Sequence, residues 1–206
     1  PGAPEPSNKE AANTGSKVTF EKITGYKEAK DYIYKISETG ITGEHPEWTV
    51  SNDVLYAKVS VRKEGNEYKT KVSYYSDENC TTAVETPVIT NTYTAPTEGS
   101  AEIEIQKAAT ASWTGEIPNY FKFKLEALTS GAPEPSNKEA ANTGSKVTFE
   151  KITGYKEAKD YIYKISETGI TGEHPEWTVS SDVLYAKVSV RKEGNEYKTK
   201  VSYYSD

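Results

Sequence analysis

Polar residues of three types fall in this sequence where a strand should carry apolar side chains. In "AEIEIQKAAT" the residues Ala101, Ile103, Ile105, Lys107 and Ala109 share one parity, and in "VITNTY" Ile89, Asn91 and Tyr93 do. In "DYIYKISE" the set Tyr32, Tyr34 and Ile36 continues to Glu38, and in a second copy Tyr161, Tyr163 and Ile165 continue to Glu167. Successive side chains of a strand alternate between faces, so an amine, an amide and a carboxylate are each in step with the core. Any one of them alone could sit at a strand end and turn its head to water, as long side chains readily do. Together they form a complementary set. An amine is a nucleophile only when neutral, a form that an apolar surround favours. A neighbouring carboxyl, kept protonated by the same surround, can hydrogen-bond the amide and carry protons from the amine to a departing ammonia. The product is an amide between Lys and Asn side chains, which replaces two buried polar groups that are costly unpaired with one neutral link.

The strands that must position these groups belong to a long repeat. Residues Gly2 to Asp77 recur as Gly131 to Asp206, an offset of 131 − 2 = 129, with one difference, Asn52 against Ser181. That period is the size of an independent domain, so the sequence describes a string of beads rather than a solenoid. The chain divides into the later part of one unit (1–94), a linker (95–100) and the earlier part of the next unit (101–206). Read in unit order, "AEIEIQK", "YFKFKLEA", "KVTFEKI", "DYIYKISE", "DVLYAKVSVRK", "NEYKTKVSYYS" and "PVITNTY" are seven strands of alternating β-branched, aromatic and polar residues. "KEGNEY" joins two of them as a hairpin. Only "NKEAAN" and "YKEAKDY" have room for a helical turn, and both are too short to be stable alone. The expected class is all-β, an immunoglobulin-like sandwich repeated in tandem.

The order "EIEIQKAAT", "YFKFKLEA", "GSKVTFEKI", "YIYKISETG", "VITNTY" resembles the streptococcal pilin isopeptide-linkage domain, found in backbone pilins and surface adhesins of Gram-positive bacteria. The resemblance covers the whole unit. It implies an extracellular structural module of the bacterial surface, closed once by its own chemistry, without a cofactor and without turnover. It also implies Lys107 as nucleophile, Asn91 as the accepting amide, and Glu38 and Glu167 as the two copies of the proton-shuttling acid. The window splits both sites: the first unit has Glu38 and Asn91 without the lysine strand, and the second has Lys107 and Glu167 without the asparagine strand. The family's first and last strands run parallel, so a bond from Lys107 to Asn91 would need the chain to return about 30 Å along the domain. The linker "TAPTEGS" reaches about 25 Å at most. Closure is therefore expected from a neighbouring repeat or a neighbouring molecule that supplies the missing strand.

Composition excludes several other classes. The net charge is −6 with 27% charged residues, and no basic stripe stands out to meet nucleic acid. No apolar run is long enough to cross a bilayer, and "PGAPEPSNKE" has no apolar signal-peptide core, as expected of a chain excised from something longer. A single Cys80 excludes an internal disulfide and reads as a loop thiol. His45 and His174, one per copy in "GEHPEW", have no second His or Cys at metal-ligand spacing. The many acids do not declare a glycosidase pair, and no nucleophile elbow or phosphate loop is present. The alternative function is a multivalent repeat that presents Trp48, Trp113, Trp177 and its tyrosines to host glycans or matrix proteins. The same aromatic side chains read first as filling of the sandwich core and cover for its strands.

Overall fold

Alternating β-branched and aromatic residues draw the chain into strands, and the computed structural model, which describes residues 2–206, contains no helix among them. It divides after Tyr93 into two units. The first unit holds β1 (Asn13–Thr14), β2 (Lys17–Val18), β3 (Asp31–Ser37), β4 (Trp48–Thr49), β5 (Val54–Glu64), β6 (Glu67–Tyr75), β7 (Ala83–Val84) and β8 (Thr92–Tyr93). Its main sheet runs β3-β5-β6-β7, and β4 pairs with β8. The expected hairpin links β5 to β6, with Gly65 at φ 61° in the two-residue turn between Glu64 and Glu67.

The second unit holds β9 (Gly99–Ala101), β10 (Glu104–Gln106), β11 (Phe121–Ala127), β12 (Glu139–Thr143), β13 (Lys146–Thr148), β14 (Ile152–Tyr155), β15 (Asp160–Ile170), β16 (Val183–Glu193) and β17 (Glu196–Tyr204). Seven of these form a sheet in the order β10-β13-β12-β11-β15-β16-β17, and β9 pairs with β14. The segment "NKEAAN" supplies β12 rather than a helical turn, because Ala140 and Ala141 pair with Phe123 and Lys122 of β11. Along β11 the residues Phe121, Phe123 and Leu125 are buried and Lys122, Lys124 and Glu126 exposed, the alternation that a half-buried strand requires. The architecture is the expected all-β, immunoglobulin-like sandwich class.

Identical sequence takes different burial in the two copies. Val147 and Phe149 are 0% and 2% exposed, whereas Val18 and Phe20 are 49% and 38% exposed. The cause is β10, whose Ile105 pairs opposite Val147 and whose neighbour Ile103 accepts a hydrogen bond from the Phe149 N–H. Among the described residues no strand of that kind lies beside β2, which pairs there with β1 only. The apolar cluster of the first unit accordingly centres on Tyr32, Val59 and Val61, and that of the second draws on every strand from β9 to β16 except β12.

Residues 95–100, spelled like a linker, are tied into the second unit from Thr97 onward. The Thr97 N–H donates to the Asn195 carbonyl at 2.8 Å, and the Tyr197 N–H donates to the Thr97 carbonyl at 2.9 Å. Gly99 then passes so close to β17 that a Cβ there would lie 3.0 Å from the Tyr197 carbonyl oxygen. Deeper in the same unit the Tyr163 hydroxyl donates to the Pro133 carbonyl at 2.6 Å and meets the Tyr155 hydroxyl at 2.8 Å. Burial pushes both phenols above their ordinary range, that of Tyr163 up to about 12.

Candidate functional site

The second unit brings Lys107 to Glu167. Lys107 follows β10, and its backbone N–H donates to the Ser145 carbonyl at 2.7 Å, which extends the strand's alternation to the lysine and turns its side chain inward. Its Nζ lies 2.7 Å from Glu167 Oε2, and the two side chains are only 11% and 3% exposed. Beneath the amine is the ring of Phe121, with Nζ 4.3 Å from its centroid, a cation–π contact that holds an ammonium at a defined spot. Trp177 meets the Phe121 ring edge-on, with centroids 5.2 Å apart, and Trp113 covers Trp177 at 4.9 Å.

Glu167 keeps the alternation of β15, and an irregularity follows it. The pairing of β11 with β15 runs Leu125 opposite Ile165 and Phe123 opposite Glu167, then skips Thr168, so that Lys122 faces Gly169 and Phe121 faces Ile170. The bulge beside the carboxylate brings Ile170 back into phase with the core after Glu167. The other oxygen of the carboxylate, Oε1, is buried and has no hydrogen-bond partner among the described residues. A buried acceptor left in that state costs about 1–3 kcal/mol.

The first unit brings Asn91 to Glu38. Asn91 Nδ2 donates to Glu38 Oε1 at 2.8 Å, and the Ser51 N–H donates to Oε2 at 2.9 Å. Asn91 immediately precedes β8, which pairs Tyr93 with Trp48 and Thr92 with Thr49. Glu38 and Glu167 are the same residue of the repeat, so one carboxylate meets the amide in one copy and the amine in the other. Each half-centre lacks what the other contains.

Three contributors were not marked by sequence parity. Asn142, 3% exposed, accepts from the Phe121 N–H at 2.9 Å and donates to the Pro118 and Gly144 carbonyls at 2.8 and 2.7 Å, which pins the strand end that floors the amine. Tyr120, next to Phe121, stacks on His174 at 3.6 Å, and the His174 ring also meets Glu176 at 3.2 Å. Thr168 makes the bulge, for which the following Gly169 is the only sequence signal. Of the tryptophans, Trp177 packs against the core, whereas Trp48 and Trp113 are 44% and 43% exposed. Cys80 sits at φ 54° in a turn, its Sγ 3.8 Å from the Glu78 carbonyl. No group of three or more His, Cys, Asp or Glu able to hold a metal ion occurs among the described residues.

The FctA family, described as the Spy0128-like isopeptide containing domain, matches residues 2–94 and again 103–205. No curated protein and no solved structure matches the chain.

Proposed function

Because the chain belongs to the FctA family of Spy0128-like isopeptide-containing domains, we propose that each complete unit is an extracellular stalk module of a Gram-positive surface fibre, closed by an amide between a lysine of the Lys107 type and an asparagine of the Asn91 type. The observation that carries this reading is the pair of half-centres around one repeated carboxylate. Glu38 Oε1 accepts from an asparagine amide at 2.8 Å, and Glu167 has a lysine amine at 2.7 Å with its Oε1 unpartnered. One unit containing both strands would have amine and amide on the two oxygens of a single buried acid.

The chemistry balances within those three groups. A proton moves along the Lys107 to Glu167 hydrogen bond, leaving a neutral amine and a carboxylic acid. The amine nitrogen attacks the amide carbon; the new C–N bond forms as the bond to the amide nitrogen breaks, and that nitrogen leaves as ammonia after taking a proton through the acid. The remaining proton stays on the glutamate or leaves on the ammonia as ammonium. Phe121 and Trp177 limit water around the amine. The reaction happens once per unit, so the protein is a structural element and not a turnover enzyme. Its partners in a fibre are neighbouring repeats.

The test uses the 206-residue chain continued after Asp206 by a second copy of residues 78–94, which completes the second unit. Intact mass is expected to fall by one ammonia, and Lys107→Ala, Glu167→Ala or replacement of the added asparagine by alanine is expected to restore the full mass while Asn91 is left in place. The loss of Glu167 is expected to slow closure by about 100-fold or more. A folded extended chain of undiminished mass overturns the proposed chemistry.

A further inference from the structure

The tryptophan that follows the repeated "GEHPE" touches a different half of the site in each copy. In the second unit Trp177 packs edge-on, at 85°, against Phe121, whose ring lies under the Lys107 amine. In the first unit the equivalent Trp48 packs against Tyr93, with centroids 5.0 Å apart, and its backbone pairs with Tyr93, two residues beyond Asn91. The loop that presents the indole is the same in both. The backbone N–H of Trp48 donates to the His45 carbonyl and that of Trp177 to the His174 carbonyl, both at 3.0 Å, and Gly43 and Gly172 adopt φ 89° and 86°. The loop shape therefore does not depend on which partner strand is present.

Two further features fit an indole that serves both strands. In the second unit the loop is clamped to the strand that floors the amine: the Thr171 N–H donates to the Tyr120 carbonyl at 2.7 Å, and the Tyr120 and His174 rings stack at 3.6 Å. There residues 177–178 form no strand, whereas Trp48–Thr49 form β4 by pairing with β8. An edge that bonds the asparagine-bearing strand in one copy is thus open in the other.

Resting on the isopeptide reading above, we infer that Trp177 is a positioning residue for the cross-link. In a complete unit its indole lies between the lysine-bearing and asparagine-bearing halves, with Phe121 on one side and a tyrosine of the Tyr93 type on the other. It sets the approach of amine to amide without touching the reacting atoms. Small errors in that approach are expensive, since a displacement of about 1 Å can cost on the order of 100-fold in rate.

The experiment follows ammonia loss by intact mass over time in freshly refolded extended chain (residues 1–206 plus the second copy of 78–94). Trp177→Ala is expected to slow closure by at least about tenfold. Trp177→Leu, which keeps apolar filling but not the breadth of the indole, is expected to slow it comparably, and Trp177→Phe is expected to restore most of the rate. Melting of the same variants in a Lys107→Ala background reports their purely structural cost. If the parent closes and Trp177→Leu closes equally fast while folded, Trp177 is only core filling and the inference fails alone. If the folded parent never loses ammonia, the isopeptide reading fails and this inference goes with it.

Discussion

Asn142 and Asn13 are the same residue of the repeat in two surroundings, and the comparison isolates what one buried amide is worth. Asn13 donates to the Gly15 carbonyl at 2.8 Å in an exposed turn, while Asn142 makes the equivalent bond and also holds Pro118 and Phe121. Removing Asn142 leaves the Phe121 N–H without its partner, so Asn142→Ala is expected to destabilise the second unit by about 1–3 kcal/mol. Asn13→Ala is expected to change the first unit by no more than about 0.5 kcal/mol. Urea unfolding followed separately for the two units checks both; equal effects would contradict the argument. Parity made Lys107, Glu38, Glu167 and Asn91 visible in the sequence because each breaks an apolar alternation. Asn142 was not visible: a short polar residue before "TG" reads as a turn, and its partners lie 21 and 24 positions away.

At the scale of elements, the hairpin of β16 and β17 and the long strand β15 follow directly from their alternation, and the matching strands β5, β6 and β3 form in the first unit with the same pairing registers. The short strands were less legible. β9 lies in a stretch of Pro, Gly and Ser, and only pairing with the distant β14 makes it a strand, with β17 packed close by. Gly99 is the residue that lets it approach: a Cβ there meets Thr199 Cγ2 and the Tyr197 carbonyl oxygen at 3.0 Å and Tyr155 Cβ at 3.2 Å. The carbonyl is backbone and cannot swing aside. Gly99→Ala is therefore expected to destabilise the second unit by about 1–3 kcal/mol through overpacking, whereas Gly2→Ala, with nothing within 4 Å of the added carbon, serves as the neutral control in the same thermal melt. Equal melting of the two variants would show that β9 is not held as described.

For the molecule as a whole, the two units have unequal cores built from nearly the same sequence. Among the described residues, sixteen buried ones form the cluster of the second unit and three that of the first. On heating, two transitions are expected, the lower one from the first unit, because about 1 kcal/mol moves the midpoint of a domain this small by about 4–8 °C. A single calorimetric transition with equal calorimetric and van't Hoff enthalpies would contradict independent unfolding. Closure of a complete unit by the proposed bond would raise its own transition by constraining the unfolded chain.

The connector that enters the second unit is held by that unit's own backbone and side chains. Thr97 is engaged through both its N–H and its carbonyl, the Asn195 side chain reaches back to the Thr94 carbonyl at 3.1 Å, and Gly99 is wedged against β17. Proteases prefer exposed, pliant loop tips and termini, whose backbone can be drawn into a cleft. From Thr97 onward the peptide bonds of this junction are already committed to a folded surface, so the Pro- and Gly-rich spelling of "TAPTEGS" overstates how much scissile chain is on offer.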